Sequence, residues 1–72
     1  MTSSTGQILY DLRTSAGKSM TDVARDLNIS LASMSRYESG ERNPRDDLKS
    51  RIASYYGVSV QDIFYAEKVH GT

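Results

Sequence analysis

The sequence predicts an all-α fold, with five helices in a single domain. Two of the predicted helices open with a serine followed three residues later by an aspartate, which is the pattern of a capping box. After such openings, apolar residues recur three or four positions apart, as they do on the buried face of an amphipathic helix. The chain of 72 residues is long enough for one domain, which would bury about 60% of its extended-chain surface.

The first helix is predicted over residues 6–16. Ser4 or Thr5 would cap it, because a side-chain oxygen at that place accepts hydrogen bonds from the free backbone N–H groups of the first turn. Leu9 and Leu12 would then lie on its buried face.

The second helix is predicted to open at Ser19, with Asp22 three residues on. Its buried face is formed by three apolar residues: Val23, Ala24 and Leu27. Asn28 follows, and asparagine accepts a left-handed backbone at modest cost, so the chain is predicted to reverse there.

The third helix is predicted to start at Ser30, a second capping residue. Ile29 and Met34 flank this start at the spacing of a hydrophobic staple. Met34 and Tyr37 form the buried side, and Gly40 supplies the positive φ with which helices commonly end.

The fourth helix is predicted to follow a polar loop that contains the only proline. It begins at the acidic pair 46–47, since negative charge favours a helix N-terminus, and it ends at Gly57. Its apolar residues repeat at a spacing of four: Leu48, Ile52 and Tyr56. The fifth helix opens with Ser59 and Asp62, and Ile63 and Phe64 complete the core.

The segment from Ser19 to Gly40 resembles a helix-turn-helix, and more narrowly the Cro/repressor-type (Xre-like) family. The wider resemblance runs from Thr5 to about Tyr65. It rests on the following residues: Leu12-Arg13, Gly17, Ser19, Ser35-Arg36-Tyr37-Glu38, Gly40, Pro44, Ile52-Ala53 and Gly57-Val58-Ser59.

This resemblance implies a five-helix, lambda-repressor-like DNA-binding domain over residues 6–66. Residues 1–5 are expected to be disordered, and residues 67–72 to form a flexible tail. The resemblance also implies that Arg13 and Glu38 form a structural ion pair.

The resemblance further implies which residues contact DNA, since the second helix of such a motif enters the major groove. The residues expected to face the bases are Leu31, Ala32, Ser35 and Arg36. The residues expected to donate hydrogen bonds to phosphates are Ser30, Ser33, Arg42, Asn43 and Arg45. Arg36 is the strongest candidate for reading a base, because a guanidinium donates twice to guanine.

Three apolar residues depart from the family pattern. Met20 replaces a polar residue that commonly holds a phosphate, and Leu31 and Ala32 replace hydrogen-bonding groups. Apolar side chains at such positions can touch a thymine methyl. Alternatively, together with Ile8, they form an apolar patch of the kind that marks protein interfaces.

Catalysis and metal binding are not expected. The sequence lacks a glycine-rich phosphate loop, a nucleophile elbow and a cluster of metal ligands, it has no cysteine, and His70 stands alone in the tail. No cofactor and no small-molecule substrate are predicted. Nine basic and nine acidic residues cancel, whereas DNA-binding proteins commonly show a basic excess or a basic face.

Two functions therefore remain open. One is a small transcriptional regulator of a phage-type genetic switch that binds operator DNA. The other is a modulator that uses the same helices to bind a repressor protein and alter its DNA binding. A weak homodimer would use the end of the chain from Ile52 to Tyr65, where Tyr55 and Tyr65 fall outside the core pattern.

The expected location is the cytoplasm of a bacterial host. The N-terminus lacks the features of a signal peptide, and no apolar run approaches the roughly 20 residues of a membrane span.

Overall fold

A computed structural model describes residues 5–65 of the chain, and every regular element in that range is an α-helix. The five helices are α1 (Thr5–Ser15), α2 (Met20–Leu27), α3 (Leu31–Ser39), α4 (Asp46–Tyr56) and α5 (Val60–Phe64). The predicted all-α class and the number of helices are confirmed.

Helix α1 starts earlier than the sequence predicted. Thr5 is helical, although it had been assigned to a disordered N-terminus, and the last helical residue is Ser15 rather than Ala16. The predictions for residues 1–4 and for the tail 67–72, including His70, lie outside the described residues.

The predicted capping interactions are present at the starts of α2 and α5. The Ser19 hydroxyl accepts a hydrogen bond from the Asp22 amide at 3.0 Å, and the Asp22 carboxylate accepts one from the Ser19 amide at 3.3 Å. Ser59 and Asp62 repeat both bonds. The hydrogen bonds from the backbone and hydroxyl of Ser19 lower the pKa of Asp22. These helix starts are therefore fixed by local contacts.

The turn between α2 and α3 has the predicted left-handed geometry. Asn28 adopts φ 58°, and it is the one residue other than glycine with positive φ in the described chain. Ser30 caps α3 by accepting from the Ser33 amide at 3.0 Å, and Gly40 ends α3 with φ 86°. The two helices of the motif are thus set at the predicted boundaries.

The core is one cluster of apolar side chains to which every helix contributes. Its buried members are Leu9, Val23, Ala24, Leu27, Met34, Leu48, Ile52, Ala53 and Ile63. Four residues that the sequence placed on buried faces are only partly buried and pack around this cluster: Leu12, Tyr37, Tyr56 and Phe64. The predicted faces are correct, but the core is smaller than the sequence pattern indicates.

Gly6 allows α1 and α3 to pack at very short range. A Cβ atom at this position would stand 2.2 Å from the carbonyl oxygen of Glu38, well inside any permitted contact. Any other side chain would force the two backbones apart. The sequence around Gly6 predicts only the start of a helix, because no neighbouring residue indicates which other helix packs against this glycine.

No helix within residues 5–65 is long and apolar enough to cross a membrane.

The Tyr56 hydroxyl is buried and has no hydrogen-bond partner. Burial, followed by the nearby negative charge of Glu38, raises the pKa of Tyr56 to about 12 from its usual 10. A buried polar group without a partner costs stability, because it has lost its hydrogen bonds to water.

We expect Tyr56→Phe to raise the free energy of unfolding at neutral pH by about 1 kcal/mol, measured by urea denaturation. Between pH 10 and pH 12 the unfolded chain loses the Tyr56 proton while the folded chain keeps it, so wild-type stability falls as pH rises through this range. The variant should lose less stability there.

Tyr55→Phe is the matched control for neutral pH. Its hydroxyl donates a hydrogen bond to Asp26 at 2.6 Å, so its removal should destabilise the protein. If Tyr56→Phe destabilised the protein by as much as Tyr55→Phe, the Tyr56 hydroxyl would have a partner in solution.

Candidate nucleic-acid interface

Helix α3 has one buried side and one exposed side. Met34 is 1% exposed, and Tyr37 and Glu38 are partly buried. The exposed residues are Leu31, Ala32, Ser35, Arg36 and Ser39, which cover a continuous arc of the helix surface. All four residues predicted to face the bases are therefore together on one accessible surface, which we call the outer face of α3.

Two serines lie at the start of this outer face. The Ser30 hydroxyl accepts from the Ser33 amide and donates to the Ser33 hydroxyl at 2.9 Å. Because the two hydroxyls share one hydrogen bond, one of their two protons remains available to a further acceptor such as a phosphate.

The loop after α3 carries the other predicted phosphate-contacting residues. The start of this loop is held to the last turn of α3, because the Arg36 carbonyl accepts hydrogen bonds from the amides of Glu41 at 3.0 Å and Arg42 at 3.4 Å. Pro44 is buried and fixes the loop against the body of the domain, while Arg42, Asn43 and Arg45 are exposed around it.

The basic side chains divide into two groups by their contacts within the molecule. Five are engaged: Arg13 with Glu38, Lys18 with Asp26, Arg25 with Asp22, Lys49 with Asp46 and Tyr65, and Arg51 with the Leu27 carbonyl. The three without a hydrogen bond or ion pair to any part of the described chain are Arg36, Arg42 and Arg45. All three lie on α3 or on the loop that follows it.

Three arginines are therefore free to contact an anion, in a stretch that also exposes the carboxylates of Glu41 and Asp47. Lys49 and Arg51 lie close to the three free arginines in the chain, but both make contacts elsewhere in the structure. Lys49 lies 5.5 Å from the centre of the Phe64 ring and donates to the Tyr65 hydroxyl at 3.1 Å. Arg51 donates to the carbonyl of Leu27 at the end of α2.

The Arg13 and Glu38 side chains form an ion pair with two hydrogen bonds. Arg13 Nε donates to Glu38 Oε2 at 2.6 Å, and Nη2 donates to Oε1 at 3.0 Å. Their side chains are only 11% and 6% exposed. The bonds to Glu38 raise the pKa of the Arg13 guanidinium. The pair neutralises the one carboxylate of α3, which would otherwise oppose binding of an anion near Arg36.

Met20 does not belong to the outer face of α3. It is partly buried and packs against the core, as does Ile8. The predicted patch of Met20, Leu31 and Ala32 beside Ile8 is therefore exposed mainly at Leu31 and Ala32, because Met20 and Ile8 are partly buried. Leu31 remains 50% exposed.

The tyrosines considered for a dimer surface are also partly buried. Tyr55 bonds to Asp26, and the Tyr65 hydroxyl accepts from Lys49. A shallow groove of about 400 Å³ lies beside Tyr55 and is lined by Asp26, Leu27, Ser50, Arg51, Ser54 and Tyr55. Arg51 closes one part of it through its bond to Leu27.

Two capped helices joined by a left-handed asparagine, with the exposed side of the second beside free arginines, define a helix-turn-helix domain. Comparison with known proteins agrees: the model of the helix-turn-helix family of the Xre/Cro-like type matches residues 9–63. The chain therefore belongs to this family of transcriptional regulators, in which the domain binds DNA.

One curated relative is the HTH-type transcriptional regulator DdrOP3 of Deinococcus deserti. It is 32% identical over 63 residues, which are 88% of this chain and 49% of the relative. The chain thus spans about half the length of the curated relative that it matches. No solved structure matches the chain.

We expect Arg13→Met to lower the free energy of unfolding by about 2 kcal/mol, because it leaves the Glu38 carboxylate buried without its partner. Arg25→Met is the matched control. It breaks the ion pair with Asp22, whose side chains are 68% and 42% exposed, and should cost less than about 0.5 kcal/mol. Urea denaturation of both variants measures the difference, and equal losses would contradict a structural role for the Arg13 pair.

Proposed function

We propose that this protein regulates transcription by binding operator DNA, with α3 in the major groove. The observation that carries the proposal is the segregation of unpaired arginines: Arg36 lies on the outer face of α3 and Arg42 and Arg45 on the loop that follows, while the other described cations make contacts within the fold. Such a surface suits phosphates, which supply much of the affinity for DNA.

The dimensions of α3 support this placement. Its nine residues give a helix about 13 Å long. An α-helix with its side chains is about 10–12 Å across, and the major groove, about 12 Å wide, admits one such helix. The Ser33 hydroxyl and the loop arginines would then meet phosphates on either side of the groove. Phosphate contacts of this kind set the register of a protein on its site, whereas base contacts specify the sequence.

We place the protein in a genetic switch of the phage type, in keeping with its resemblance to Cro-type regulators. As a weak dimer it would set two α3 helices about one turn of DNA apart, with the end of the chain from Ile52 to Tyr65 as the dimer surface. A bacterial host cytoplasm is the compartment in which such a regulator meets its operator.

We expect binding to promoter DNA from the protein's own gene neighbourhood to weaken steeply with salt. Each of Arg42→Gln and Arg45→Gln, at predicted phosphate-contacting positions, should reduce the slope of log affinity against log salt concentration by about one, because one fewer counterion is released. Fluorescence anisotropy at several sodium chloride concentrations measures this slope.

Arg25→Gln is the matched control, since Arg25 is exposed but paired with Asp22, and it should leave the slope unchanged. Absence of salt-dependent binding at low ionic strength would overturn the proposed function. An equal effect of Arg25→Gln would show that the segregation of free arginines is not what binds DNA.

A second candidate function is modulation of a repressor protein, and the observation that favours it is the half-exposed Leu31 next to Ala32. An apolar side chain on a charged surface is suited to insert between the side chains of a partner. In this case the outer face of α3 would occupy a repressor and change its contacts with DNA.

This candidate predicts that the tagged protein captures a repressor from its native host after nuclease treatment, and that Leu31→Asp abolishes the capture. The substitution places a charge where an apolar contact would be buried. Arg42→Gln serves as the control and should leave a nuclease-resistant complex intact. Capture that disappears with nuclease treatment would support operator binding and contradict the modulator.

A further inference from the structure

Leu31 is a large apolar side chain that is half exposed to solvent. It is 50% exposed at the first turn of α3, and the described chain has one other large apolar residue as exposed, Tyr10 on α1. An exposed leucine leaves apolar surface in water, and a ligand that covers this surface gains the free energy of its burial. Ala32 follows it on the same outer face.

The apolar part of this face is too small for a protein interface on its own. Since Met20 packs against the core, half of one leucine and one alanine remain, whereas each partner of a standard protein complex buries about 800 Å². The rest of the outer face is Ser35, Ser39 and Arg36, with the arginine-bearing loop beside it. This composition matches a polyanion with a small apolar group.

Thymine provides such a group, because its C5-methyl projects into the major groove of a phosphate-lined duplex. Among the exposed groups of the major groove it is the one that an aliphatic side chain contacts without losing a hydrogen bond. Leu31 and Ala32 would desolvate the methyl from the first turn of the helix.

Arg36 supplies the second contact. It lies one turn after Ala32 on the same side of α3, and its guanidinium has no partner within the described chain. A free guanidinium pointed into the major groove donates twice to O6 and N7 of guanine. One helical turn advances about 5.4 Å, which corresponds to one or two base pairs at about 3.4 Å each.

We propose that the outer face of α3 specifies a half-site in which a thymine methyl, contacted by Leu31 and Ala32, lies within about two base pairs of a guanine contacted by Arg36. This inference rests on the proposed binding of operator DNA and adds to it the bases that are read.

The test begins with selection of tight-binding duplexes from a random-sequence library by the wild-type protein. The selected duplex is then remade with deoxyuridine in place of thymidine at one position at a time, which removes one methyl group and nothing else. We expect one position in each half-site to weaken binding about three- to tenfold, and the other thymines to have little effect.

Variants assign the contacts to residues. Leu31→Ala should reduce the effect of that deoxyuridine to less than about twofold, since the methyl has then lost its apolar partner. Tyr10→Ala is the matched control: it truncates the other exposed large apolar side chain and should keep the full methyl dependence. Replacing the neighbouring guanine by 7-deazaguanine should weaken wild-type binding about fivefold or more, and Arg36→Gln should remove this dependence.

The failure of this inference is distinct from failure of the proposed function. Salt-dependent binding with no methyl-sensitive thymine, or with the same methyl dependence in Leu31→Ala, would overturn the reading of bases and leave operator binding intact. Absence of binding to any duplex of the library at low salt would overturn both. The measurements on deoxyuridine duplexes use the wild-type protein, so they stand even if a variant were to misfold.

Discussion

The ion pair between Arg13 and Glu38 is the contact on which the arrangement of the outer face depends. It joins the last turn of α1 to the C-terminal end of α3 through two hydrogen bonds, in a place where neither side chain is much exposed to water. A buried pair of this kind adds little net stability compared with apolar packing, but the loss of either partner is costly. Its main effect is therefore on position and charge: it sets the angle of α3 and removes a carboxylate from the surface beside Arg36.

Contacts that neutralise charge within the fold occur elsewhere in the molecule as well. Nine basic and nine acidic residues give no net charge, yet the charges are not mixed at random. Carboxylates such as Asp22 and Asp62 cap helices, and Asp26 accepts from Tyr55 and lies 3.8 Å from Lys18. Cations far from α3 are thereby neutralised locally. Net charge is a poor guide to a binding surface when many of the charged side chains form helix caps, ion pairs and hydrogen bonds within the fold.

The sequence predicted well the features that depend on three or four neighbouring residues. The capping boxes at Ser19 and Ser59, the left-handed Asn28 and the terminal Gly40 all form as predicted, because each is decided by contacts within one turn. The family, and with it the place of α3, followed from the same short pattern. The four residues predicted to face the bases lie together on the outer face of α3.

The sequence could not predict which side chains are free. Whether a side chain is free depends on residues that are distant in the chain. Arg51 donates to a carbonyl 24 positions away, and Met20 packs against the assembled core. Periodicity assigns a residue to a face of its own helix but does not say what that face meets. The partly buried Leu12 and Tyr37 show the same limit, since a core this small leaves the edges of each helix half covered.

Gly6 has a consequence for how genetic data on this protein should be interpreted. Its hydrogen is the only side-chain atom that fits between the backbones of α1 and α3, against the carbonyl of Glu38. Replacement of Gly6 would displace the end of α3, and with it the Arg13 pair and the start of the arginine-bearing loop. A regulatory defect caused by such a change would look like the loss of a DNA contact, although Gly6 is buried against α3 and does not belong to the proposed DNA-binding face. Phenotype alone would therefore assign this glycine to the wrong side of the domain.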